Sequence, residues 1–145
     1  MTDPSSNPAA DLTNAIESLG DLLSGKRGPD RFDVRAIFLP LGSLILEGDV
    51  AGLAPTLEQL STVARPDNEA WAKAVEDELR LATDEFCSSV DPRFLALPNY
   101  DMTYTLASRE YLACRFQAAE HLGFAIPEGA MERVESADKA LDPYL

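Results

Sequence analysis

A chain of 145 residues that is 46% hydrophobic can build one domain with a real core, and it is too short to favour two. Its 25 acidic and 12 basic side chains give a formal net charge of −13, a field that repels nucleic-acid phosphate and anionic lipid, so no direct nucleic-acid binding and no membrane partner is expected. The longest apolar run, Ala36 to Leu46, is broken by Pro40, Gly42 and Ser43 and falls short of the roughly 18 residues of a membrane span. The opening MTDPSSNPAADL lacks the basic and hydrophobic blocks of a secretory signal, which makes a soluble, cytoplasmic protein the expectation.

Residues 1–6 read as a flexible tail ahead of a single helical domain over 7–145. Asn7 can cap a helix whose first position suits Pro8, and Leu12, Ile16, Leu19 and Leu23 then recur as one apolar stripe. Gly25 supplies a stop, and KRGPD at 26–30 is a turn-rich connection. The following segment is apolar on nearly every side. Helix and buried strand compete for it, and the absence of any other sheet-like alternation predicts a central helix over about 34–46, bent at Pro40.

Gly48 breaks that helix, and Asp49 can cap a short one marked by Leu53, Leu57, Leu60 and Ala64. Asp67 opens the clearest helix, about 68–90, with Trp71, Val75, Leu79, Ala82, Phe86 and Val90 on a continuous seam. Its outward side carries Lys73/Asp77, Glu76/Arg80 and Arg80/Asp84 at the four-residue spacing of helical ion pairs. After the proline-rich loop at 91–100, a long helix covers about 103–122. Tyr104, Ala107, Tyr111, Cys114, Ala118 and Leu122 share one of its faces, and Leu112, Phe116 and Ala119 widen it. A last helix begins at Pro127, turns Met131, Val134, Ala137 and Leu141 inward, and stops at Pro143. The fold class is all-α, an irregular single bundle of five to six helices.

No grouping of residues forms a catalytic or cofactor motif. His121 is the lone histidine, GxSxG, GxGxxG and GxxxxGK do not occur, and Cys87 and Cys114 sit apart among apolar residues, as free core thiols do. Glu128, Glu132, Glu135 and Asp138 have the most metal-like spacing, but they occupy the solvent side of an amphipathic helix with no matching ExxH or ExxE partner. Glu76, Asp77 and Glu78 point in three directions around theirs. No metal and no cofactor is therefore expected.

The most distinctive group is Tyr100, Asp101, Tyr104, Arg109 and Tyr111, where a loop enters a helix. Tyrosine and arginine combine wide contact area with hydrogen bonding and carry much of the energy of recognition surfaces. The plainer expectation is that Tyr104 and Tyr111 pack in the core. Tyr144, in the terminal DPYL, is a further recognition candidate, or a cover for the end of the bundle. Three readings follow. The first is a non-catalytic protein-interaction domain binding another protein or itself. The second is an enzyme or small-ligand binder with a pocket near Tyr104, Arg109 and His121. The third is an acidic nucleic-acid mimic that inhibits a DNA-binding protein.

Overall fold

The computed structural model describes residues 8–18, 20–24, 26–48 and 54–145. These residues form helices and connections and no strand. In order come α1 (Pro8–Ser18), α2 (Gly20–Leu23), α3 (Arg31–Glu47), α4 (Ala54–Ser61), α5 (Glu69–Ser89), α6 (Pro92–Leu95), α7 (Thr103–His121) and α8 (Ala130–Leu141), with a closing 3-10 turn at Asp142–Tyr144. Eight described α-helices exceed the expected five to six because α2 continues the first helical region as a separate turn and α6 forms within the 91–100 loop. The expectations for residues 1–7, Leu19, Gly25, Asp49 and Leu53, and for the side chain of Leu23, lie outside what is described. Among the described residues no helix is long and apolar enough to cross a membrane.

Local chemistry fixes the ends of α3. Asp30 accepts from the amides of Phe32 at 2.9 Å and Asp33 at 3.0 Å, while Asp33 accepts from the Asp30 amide at 2.9 Å, a reciprocal cap that satisfies amides the helix cannot. Arg27 completes it with two hydrogen bonds to Asp33 of 2.8 and 3.0 Å. At the other end Gly48 takes the left-handed conformation at φ 76° that lets its amide bond back into the last turn. Pro40 lies inside α3, where Val34, Ile37, Phe38, Leu41 and Leu44 are buried.

For α5 the cap is Asn68, which accepts from the Trp71 amide at 3.2 Å, and not Asp67, which pairs with Arg65. Trp71, Val75, Leu79, Ala82 and Phe86 are buried as the periodicity requires, with Val90 half-buried just past the helix end. Each fully buried Leu, Val or Phe contributes about 1.5–3 kcal/mol. Lys73–Asp77 and Glu76–Arg80 form along the helix, whereas Asp84 pairs across to Arg133 on α8 instead of Arg80.

The last helix starts at Ala130, after a turn in which Gly129 has φ 82°, so Pro127 is a buried residue of the connection and not its first turn. The buried stripe is Ala130, Val134, Ala137 and Leu141, at steps of four, three and four, and Met131, one residue off it, points outward.

The framework is three long helices. α7 packs against α3 and α5, α1 lies on α3, and α8 lies on α5. α7 is buried on two sides at once. Thr105, Ser108, Leu112, Arg115 and Ala119 recur at steps of three and four on one inward face, while Cys114 and Ala118 are buried on another.

Candidate interaction surface

The tight α3–α7 approach shapes the surface. A Cβ added at Gly42 would collide with the backbone carbonyl of Cys114, so the two helices meet here without an intervening side chain. Phe38 lies against Phe124, beyond the C-terminal end of α7, with ring centroids 6.2 Å apart. Together the two contacts place α3 antiparallel over the C-terminal half of α7. α3 ends at Glu47, close enough to Cys114 that burial first, then Glu110 and Glu47, raise the thiol pKa.

The outer face of α7 nearer its N-terminus is consequently uncovered. Tyr104 is 61% exposed and Tyr111 50%, contrary to the expectation that both pack in the core. Leu46 at the end of α3 is exposed as well, and so is Leu106, which points roughly 160° away from Tyr104 around α7. Tyr104 and Tyr111 stand two helical turns apart, roughly 10 Å, with the small residues Ala107 and Ser108 between them. Between the two rings the helix surface carries only small side chains.

Charge surrounds this strip. Glu47 and Glu110 flank it on the α3 side, and among the described residues neither has a basic partner within 4.0 Å. On the α5 side, Tyr104 shares an open recess of about 390 Å³ with Asp84, Glu85, Ser88 and Ser89. Glu85 is held only at 3.8 Å by Arg35.

The other candidates are placed elsewhere. Tyr100 is half-buried and stacks on Phe94 at 6.3 Å. Asp101, just ahead of the N-cap Met102, accepts from the Thr103 hydroxyl and from the Thr103 amide at 2.9 Å, and these bonds, the hydroxyl's first, depress its pKa. Arg109 points roughly 160° away from Tyr111 around the helix. There it makes bonds of 2.9 and 3.1 Å to Asp138 on α8 and lies 5.7 Å over the Phe86 ring, fastening α8 to the bundle. His121 is exposed in the last turn of α7, roughly 25 Å along the helix from Tyr104, so Tyr104, Arg109 and His121 do not converge. Tyr144 is 37% exposed in the closing turn, and Leu145 is more exposed still, so the terminus does not seal the bundle. Asp138 and Glu135 are engaged by Arg109 and Lys139, and no group of three or more metal-type ligands occurs among the described residues.

One cluster escaped the sequence reading. Glu78 of α5 is fully buried, accepts from Arg35 Nε of α3 at 2.9 Å, and has Arg115 Nε of α7 at 3.1 Å from the same oxygen. Arg115 is only 4% exposed, and burial lowers its pKa against the opposing pull of Glu78. A signal existed: Glu78 falls in register between Ala74 and Ala82, and Arg115 between Leu112 and Ala119, at positions otherwise taken by small or apolar side chains. The cluster joins all three long helices, and Arg35 links it to the surface beside exposed Phe32, 5.9 Å from that ring.

A recess of about 590 Å³ is lined by Leu22, Lys26, Arg27, Thr62, Arg65 and Trp71 among others. Its arginines are each held by a carboxylate, Arg27 by Asp33 and Arg65 by Asp67. Comparison of the chain with protein-family models, with curated proteins and with solved structures yields no match.

Proposed function

We propose that the chain is a non-catalytic, cytoplasmic protein-interaction domain that docks another protein on the outer face of α7. The observation that carries this reading is the exposure of Tyr104 and Tyr111 on one face of α7, although a buried core is available on the same helix. Two tyrosines exposed on one face of a helix, over small neighbours, offer the contact area and hydrogen bonding of a docking site. Free cysteines suit a reducing compartment. The separation of Tyr104, Arg109 and His121 favours this over an enzyme or ligand pocket at those residues. Acids interleaved with paired cations on α5 and α8 (Lys73–Asp77, Arg80–Glu76, Lys139–Glu135) favour it over a phosphate-like array.

The test is site-specific photocrosslinking in cells that make the protein. A photoreactive phenylalanine at position 111 should give a discrete protein adduct that Tyr104→Ser diminishes, and the same group at position 73 on α5 should not. Equal labelling at both positions, or none at 111, overturns the reading.

A further inference from the structure

We infer that the partner for this face is a basic amphipathic helix, whose apolar side chain inserts between Tyr104 and Tyr111 while its lysines or arginines meet the carboxylates of Glu47 and Glu110. The inference rests on the docking reading above and adds the chemistry of the occupant. The apolar part comes from the spacing: Tyr104 and Tyr111 lie two turns apart on one face with Ala107 and Ser108 between them, which matches a helical partner presenting side chains at similar intervals.

The basic part comes from charge complementarity. Glu47 and Glu110 lie on one side of the strip, and on the other Asp84 and Glu85 already have Arg133 and Arg35 as partners. Most cations of the protein are already committed to carboxylates, including Arg35 to Glu78 and Glu85, and Arg133 to Asp84. Glu47 and Glu110 are therefore left to an outside cation. A second copy of the chain fits poorly. A two-fold contact through this face would bring the unpaired Glu47 and Glu110 of both copies together, between molecules that each carry a net charge of −13.

The full-length protein, isotopically labelled, is titrated with three synthetic helical peptides that share a leucine face and carry lysine, glutamine or glutamate on the other. The lysine peptide should bind, with amide shifts centred on Leu46, Ala107 and Tyr111 and affinity that falls with salt. Glu47→Gln/Glu110→Gln should weaken it about tenfold. The control Glu128→Gln/Glu132→Gln removes the same charge from an exposed part of the molecule and should change affinity less than twofold. Equal weakening by both pairs would reduce the effect to bulk attraction and overturn the inference. If the glutamine peptide binds the tyrosine face as tightly as the lysine peptide, the basic partner is wrong and the docking face stands. If Tyr104→Ser/Tyr111→Ser leaves lysine-peptide binding unchanged, or no peptide shifts these amides, both fall. Light scattering that shows a dimer broken by Glu110→Arg would overturn the inference in favour of a second copy.

Discussion

The α-carbon of Gly42 lies directly against the peptide carbonyl of Cys114, and the two longest-packed helices of the protein cross at that point. Small residues at such crossings let backbones approach closely, and here the neighbour is main chain, which has little freedom to yield. The expected consequence is that Gly42→Ala destabilises the fold by about 3 kcal/mol, the upper part of the usual overpacking range, despite alanine's better helix propensity. Gly20→Ala, with nothing within 4 Å of its added Cβ, should stabilise by up to about 1 kcal/mol. Urea unfolding of the two variants should give opposite signs. A neutral Gly42→Ala would show that α3 and α7 are not so close.

The buried cluster makes a prediction about cooperativity. Removing Glu78 alone strands Arg115 in the core, so Glu78→Met should cost about 3–5 kcal/mol. Arg115→Met alone should cost less, because Arg35 still neutralises Glu78. Joining the two should recover much of the loss, since an apolar pair has no charge to desolvate. Denaturant unfolding of the single and double variants measures the coupling. Strictly additive losses would mean that the two charges do not depend on each other.

At the N-terminus of α3, the hydrogen bonds from Arg27, ahead of those from Asp30, hold the Asp33 carboxyl below the usual carboxylate range, against the opposing effect of its partial burial. Its ionised form is thus favoured by folding. This contribution is complete above the unfolded-state value of about 3.9 and is lost as pH falls through the lower folded value. Carbon-detected NMR titration should find Asp33 ionised in acid where the exposed, partnerless carboxylates are already protonated. Asp33→Asn should lower stability at pH 7 and flatten its acid dependence below pH 4 or so. An ordinary midpoint for Asp33 would remove the cap from the account of α3.

Thiol chemistry should separate the two cysteines. Burial is the first cause that raises both pKa values, but Cys87 is half-buried beside α8, whereas Cys114 is buried beneath α3 with Glu110 and Glu47 adding to its shift. Iodoacetamide at pH 8 should modify Cys87 several-fold faster, and Cys114 at an appreciable rate only in denaturant. Mass spectrometry of timed samples reads this directly. Faster labelling of Cys114 in the native protein would mean that α3 lifts readily from α7.

Much of the fold was legible because its signals are local. The seam from Trp71 to Phe86, the burial of Leu12 and Ile16, the turns at Gly48 and Gly123, and the choice of helix for the Pro40 segment all follow from periodicity and turn chemistry that act within a few residues. The misplacements also have local causes. Pro127 suits a helix start as well as a connection, and Met131 stands one residue off the stripe that Ala130 shares with Val134, Ala137 and Leu141, close enough to suit either side.

The residue order alone determined that the chain is helical and which apolar side chains of α1 and α5 seek the interior, because helical spacing fixes those faces without reference to anything distant. Only the tertiary structure decided what α7 shows to solvent. That helix has apolar or small residues almost all the way round, so periodicity offers several inward faces. The choice falls to its neighbours: α3 can come down to the backbone of Cys114 only at Gly42, and α5 supplies the Glu78 charge that draws Arg115 inside. With those two sides occupied, Tyr104 and Tyr111 are left facing water.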